Sequence, residues 1–245
     1  MRGVGTHIRA CLLAVVIGHG YAGAASAEID FGDEQTVLYF SGMDLWRHGA
    51  FVHGGLLASP GGLDKDGFTL KLLIGAGRYR YIAGSLGNAR VTGHQAVALL
   101  LPGWRFQRDR LTLFVYGGLD FQRHELIPND PANSLRGNHV GLRAGFDLWF
   151  EPNTLTMIGG DASMSTVGTS YAARLAFGWR AVGSAYIGPE IGGFSMGDDY
   201  RQFRIGLHLT GLRTSDLEWS AALGWALDND ERESIYGRLG LLLRR

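Results

Sequence analysis

From Gln35 onward the chain repeats one pattern: a segment of about ten residues in which apolar and polar positions alternate, then a turn. The clearest case runs from Leu217 to Leu227. Leu217, Trp219, Ala221, Leu223, Trp225 and Leu227 share one parity, and Glu218, Ser220, Ala222, Gly224 and Ala226 share the other. Successive side chains of a strand point to opposite faces, so this reads as a strand with one greasy side. Tyr171 to Arg180 repeats it, with Arg174 and Arg180 on the less apolar parity. The segments 141–150 and 202–210 follow the same rule and put Arg143 and Asp147, then Arg204 and His208, opposite their apolar residues. Wound as helices, these segments would scatter arginines and glycines around the apolar stripe instead of opposing it.

Applied along the whole chain, the rule predicts twelve antiparallel strands, at 35–45, 49–58, 67–83, 90–106, 111–124, 138–150, 154–166, 169–181, 184–196, 201–213, 216–228 and 234–244. Ten strands result if two weak neighbours are loops. Short connections fall at Gln107–Arg110, Glu151–Asn153, Val182-Gly183 and Thr214-Ser215. Longer polar ones fall at Ser59–Asp66, Gly84–Ala89, Pro128–Gly137, Gly197–Tyr200 and Asp228–Glu233. Short turns at one rim and longer loops at the other are the asymmetry of an outer-membrane barrel.

A soluble β-sandwich also alternates, so other features must choose. The segments are longer than the five or six residues usual in soluble sheets. Their polar face holds glycine and isolated charges rather than the lysine and glutamate of a solvated surface. Aromatic residues near strand ends, namely Trp46, Tyr79, Tyr81, Trp104, Phe106, Trp149, Phe150, Trp179 and Tyr186, suit interfacial girdles. The expected fold is therefore all-β, a single antiparallel outer-membrane β-barrel over 35–245.

Composition sharpens this. Glycine numbers 38 in 245 residues, about twice the ordinary share, and its spread through apolar segments suits strands that must leave room for large neighbours. No stretch after the N-terminal region is apolar for the length of a helical membrane span. The first 27 residues read as an export signal: Arg2, His7 and Arg9, an apolar stretch from Ala10, then Ala25-Ser26-Ala27 as a cleavage site. Residues 28–34 read as a short periplasmic lead-in. Cys11, the single cysteine, lies within the signal, so the exported part has no thiol for disulfides or metal. Net charge is zero and no basic patch suggests nucleic acid.

The face opposite the greasy one carries Asp44, Lys71, Asp120, Arg143, Asp147, Arg174, Arg180, Arg204, His208, Glu218 and Arg238. Charges in a narrow lumen favour pairing. A candidate lumen polar network therefore comprises Asp44, Asp120, Arg143, Asp147, Arg174, Glu190, Arg204, His208 and Glu218, with Glu190 expected to meet Arg204. Pro189 is expected to mark a bulge or bend. The competing reading is an outer-membrane enzyme acting on lipid or polysaccharide. His94, His124, His139 and His208 could each serve as a base, yet no G-x-S-x-G elbow appears, and Ser163, Ser165 and Ser195 lack distinguishing context. His48 and His53 lack metal-ligand spacing, and Asp198-Asp199 reads as a solvated loop pair. No cofactor or metal is implied.

Several segments in order carry a resemblance: Ser41-Gly42-Met43-Asp44-Leu45-Trp46, the stretch from Gly67-Phe68 to Gly77-Arg78-Tyr79-Arg80-Tyr81, Gly188-Pro189-Glu190, and the run from Asp199-Tyr200 to Gly211-Leu212. Together they resemble the cellulose biosynthesis protein BcsS family over residues 40–245. The resemblance implies an outer-membrane location and an accessory role in cellulose production or export, as channel, scaffold or partner surface. Its expected partners are outer-membrane lipid and cellulose or other cellulose-secretion proteins; it supplies no catalytic residue. One departure is the C-terminus, Leu241-Leu242-Leu243-Arg244-Arg245, where such barrels commonly end in an aromatic residue.

Overall fold

The computed structural model describes residues 35–197, 200–229 and 232–245. The export signal, the lead-in and the pair Asp198-Asp199 lie outside the described residues. Alternation over long segments becomes strands β1 (Val37–Trp46), β2 (Gly49–Ala58), β3 (Gly67–Ala83), β4 (Ala89–Arg108), β5 (Leu111–Ile127) and β6 (Gly137–Asn153). They continue as β7 (Thr156–Ser165), β8 (Ser170–Val182), β9 (Ala185–Met196), β10 (Tyr200–Thr214), β11 (Leu217–Asp228) and β12 (Glu233–Arg244). Each strand pairs antiparallel with its sequence neighbours, and β1 closes on β12 from Leu38↔Arg244 to Trp46↔Tyr236. The result is a closed barrel of twelve strands with no open edge, which is what a backbone surrounded by lipid requires. Among the described residues, no helix is long and apolar enough to cross a membrane.

Ile74, Val140, Leu207 and Leu223 point outward and are exposed. Glycine makes the inner wall workable. The Tyr79 ring lies flat over Gly93, its partner across the β3–β4 ladder, so any Cβ there would run into the ring. Tyr236 lies likewise over Gly206 and Gly224, with its hydroxyl 2.6 Å from where a Cβ on Gly206 would sit. Large inward aromatics thus need glycine on neighbouring strands, which couples the two compositional signals.

One expectation about irregularity changes. Pro189 produces no bulge: the β9–β10 ladder runs unshifted through Leu207↔Pro189, and the β8–β9 register is the same on either side of it. Its exposed outward position costs only a ladder hydrogen bond. Register shifts fall elsewhere: between Phe150 and Asn153, between Arg180 and Val182, and between Thr210 and Leu212, where Gly211 adopts a φ of 80°, a conformation that glycine tolerates.

The connections also sort differently at one place. The two-residue turns 109–110, 154–155, 183–184 and 215–216 share one end of the barrel with Val37 and Arg244, hereafter the terminal end. The segment 59–66 belongs to that same end, not to the longer-loop rim, and the short link 47–48 belongs to the far end. The reason is packing. Leu63 turns into the barrel mouth and is 6% exposed, against Leu57, Leu101, Phe114 and Tyr116. Its N–H donates to the Gln35 carbonyl at 2.8 Å, and its own carbonyl accepts from Arg105 Nη1 at 2.8 Å.

Five aromatics expected in outer girdles point inward instead. Tyr79, Tyr81 and Tyr186 are buried, and Trp46 and Trp149 share their inward parity. Trp104, Phe106 and Trp179 face outward and are exposed, and Phe150 shares that outward parity. Proximity to a strand end does not choose a face; parity does.

Candidate functional site: the charged lumen

The inner wall is built from alternate residues of every strand, so each charged side chain on that parity projects into one shared interior. On β5, Asp120 is fully buried, and its Oδ2 collects Gln122 Nε2 at 2.9 Å, Arg143 Nη2 at 2.8 Å and Ser165 Oγ at 2.6 Å. On β9, Glu190 accepts from Tyr236 Oη at 2.8 Å, pairs with Arg238, and lies 3.6 Å from Arg174. Arg174 also donates to Asp161 at 2.9 Å. Each buried carboxylate thus has more than one donor, the condition under which a charge is tolerated away from water.

Arg204 does not meet Glu190 as expected. It reaches across the barrel seam to Asp44 Oδ1 at 2.7 Å and takes Gln202 Oε1 at 2.7 Å. Its guanidinium sits 5.1–5.2 Å from the ring centres of Trp46, Phe194 and Tyr236, within cation–π range. Glu190 is claimed by β12 instead, because barrel curvature brings β9 and β12 together across the lumen.

Lys71 on β3 also reaches across the lumen. Its Nζ lies 2.6 Å from Asp147 Oδ2 on β6, 4.8 Å from the Tyr116 ring on β5 and 5.9 Å from the Phe40 ring on β1. In a barrel of twelve, β1 and β6 stand on nearly opposite walls. A cavity of about 350 Å³ lies in the interior, lined among others by Lys71, Leu101, Tyr116 and Leu135.

Leu135 belongs to the far-end connection 128–136, which folds inward. It is 4% exposed and would touch a side chain added at Gly168 or Gly197. Asp130 fastens that connection, accepting from Tyr81 Oη and Ser85 Oγ at 2.8 Å each. Burial raises the Asp130 pKa, but the Ser85 and Tyr81 hydrogen bonds outweigh it and leave the group below its ordinary value. At the terminal end, Asp66 is held low by its hydrogen bond from Arg108.

Of the candidate network, Asp120 with Arg143, Glu190 with Arg174, and Asp44 with Arg204 come into contact, and Asp147 joins Lys71. His208 stands apart, bonded to Thr210 Oγ1 and the Phe177 carbonyl. Glu218 pairs with exposed Arg213 at the terminal rim, 3.3 Å away. Sequence reasoning omitted Asp161, Tyr236 and the two capping leucines. Strand parity marks the first two; nothing local marks Leu63 or Leu135.

The serines that lacked distinguishing context in the sequence are engaged in the wall: Ser165 donates to Asp120, Ser163 accepts from Arg143, and Ser195 donates to the Gly197 carbonyl. His124 is bonded to Tyr79 and Gln122, His139 to the Leu135 carbonyl, and His94 points outward. Among the described residues, no group of three or more His, Cys, Asp or Glu is arranged to hold a metal ion.

Comparison with known proteins fits this architecture. The translocator domain of autotransporter NalP from Neisseria meningitidis is similar with a TM-score of 0.53 at 12% identity, over 89% of this chain and 91% of that one. A KdgM porin is similar with a TM-score of 0.44 at 8% identity, over 84% and 98%. The NalP likeness extends to the fold, an outer-membrane-type β-barrel. No curated protein matches the sequence. The model of the family described as cellulose biosynthesis protein BcsS matches residues 38–245, from β1 through β12, and the chain belongs to that family.

Proposed function

We propose that this chain is a non-enzymatic outer-membrane accessory of cellulose biosynthesis whose barrel is closed to free diffusion and acts as a membrane-embedded scaffold or partner surface. The observation that carries this is the position of Lys71, which binds Asp147 on one wall and stands 5.9 Å from the ring centre of Phe40 on the nearly opposite one. A cation held between opposite walls leaves little room for a hydrated solute to pass. Leu63 at the terminal end and Leu135 at the far end support the same reading. The expected topology puts the termini and two-residue turns in the periplasm and the connection 128–136 outside. Export through cleavage near Ala27 and contact with outer-membrane lipid belong to this reading, as do cellulose or other cellulose-secretion proteins as partners. The serine and histidine contacts support structural roles for those groups.

The test is conductance in planar bilayers containing the purified full-length protein, with insertion monitored by heat-modifiable gel migration. Inserted protein without stable conductance is the expected result. Steady open-state conductance from the unmodified protein would replace the scaffold with a channel.

A further inference from the structure

The lumen leaves one charged surface unexplained. On the far-end part of β3, β4 and β5, outward positions change from apolar to basic within a few residues. Below the change, β3 carries Ile74 and Ala76, β4 carries Ala98 and Ala96, and β5 carries Leu119 and Phe121. Above it stand Arg78 and Arg80, then His94 and Arg90, then Arg123 and Glu125. Their orientation is fixed by their neighbours, because Tyr79, Tyr81, Val91, Gln122 and His124 are buried inside the barrel. The ladders set them side by side: Arg78↔His94, Ala96↔Arg123 and His94↔Glu125. Adjacent positions are about 5 Å apart across strands and about 7 Å apart along one. No hydrogen bond or ion pair engages the side chains of Arg78, Arg80, Arg90 or Arg123 among the described residues, and Arg78, Arg90 and Arg123 are exposed.

Directly beneath the arginines, Ala76 pairs with Ala96, and Ala98 lies between Ile74 and Phe121. These small residues form a shallow apolar trough bordered by larger side chains. Unpaired arginines on a lipid-facing wall are tolerated at the interface but costly at mid-depth, which places this band at headgroup level. Guanidinium groups match phosphate through paired N–H donors.

We infer that this face binds a lipid bearing phosphate on its headgroup, the arginines holding the phosphates and the alanine trough seating an acyl chain. The inference rests on the membrane-embedded reading above. A free phosphate would have no use for the trough, and a zwitterionic lipid would gain little from four arginines opposed by Glu125.

Native mass spectrometry of the full-length protein in detergent can measure retained lipid A, a diphosphorylated glycolipid, with phosphatidylcholine and inorganic phosphate as comparison probes. The double variant Arg78→Gln/Arg123→Gln should retain lipid A about tenfold less well. The pair Arg201→Gln/Arg213→Gln, which removes equal charge elsewhere, should retain it unchanged. Equal retention by both double variants, equal retention of phosphatidylcholine, or displacement of lipid A by inorganic phosphate would overturn the inference. Heat-modifiable migration and liposome insertion of each variant separate these outcomes from failure of the barrel to enter a membrane. Protein that inserts but shows no lipid A preference refutes only this site.

Discussion

Lys71 on β3 and Asp147 on β6 meet at 2.6 Å although 76 residues separate them in the chain. The pair exists because closure turns three consecutive hairpin connections into an arc, so that side chains from its two ends meet inside the barrel. The Lys71 side chain is 15% exposed and that of Asp147 36%, so water screens the pair in part. Its importance is therefore steric placement more than Coulomb energy.

Replacing Lys71 with alanine should remove the bridge between opposite walls and leave the fold intact. Single-channel recording should then show conductance above that of the unmodified protein, with stability falling by about 1 kcal/mol or less. A silent bilayer containing correctly inserted Lys71→Ala protein would shift the occlusion to Leu63 and Leu135.

Asp120 should be far less forgiving. Its side chain is fully buried, and Arg143, Ser165 and Gln122 all depend on it. Asp120→Ala leaves the part-buried Arg143 guanidinium without its carboxylate, and urea unfolding in detergent should show a loss of about 3 kcal/mol. The double variant Asp120→Ala/Arg143→Met, which removes both charges, should recover a substantial part of that loss.

Gly93→Ala should disturb the lumen from the neighbouring strand. The added methyl displaces the Tyr79 ring, and with it the 3.0 Å contact between Tyr79 Oη and His124 Nδ1. Overpacking of this kind costs about 1–3 kcal/mol. Gly61→Ala meets open space and should be neutral in the same denaturation assay.

The far-end cap should respond to acid. Asp130 has a folded pKa below its ordinary value, so folding favours its ionised form. Its stabilisation is complete above about pH 4, the unfolded carboxylate range, and is lost as pH falls through the lower folded value. Amide exchange at Asn133 and Leu135, corrected for intrinsic rates, should stay slow from pH 7 to about pH 5 and accelerate below about pH 4. Asp130→Asn should show fast exchange across the whole range.

The sequence by itself determined where the strands lie and which side chains share a face, while closure of the sheet decided for twelve strands over ten. Period-two alternation is a local property, and it survives wherever one wall meets lipid and the other a lumen. The predicted 49–58 and 67–83 coincide with β2 and β3, and other strands shift by a few residues at their ends. Parity also placed Asp120, Arg143 and Arg174 inside before any partner was known. Only the tertiary structure decided who meets whom. Glu190 was expected beside Arg204 because their strands are neighbours, yet it joins Arg238 from three strands away, while Arg204 crosses the seam to Asp44. Chords across a lumen depend on circumference, stagger and side-chain reach, which no local pattern encodes. The inward turn of Leu63 and Leu135 has the same origin: each lies in a polar, turn-rich segment, and only a closed barrel gives an isolated leucine there an apolar mouth to enter.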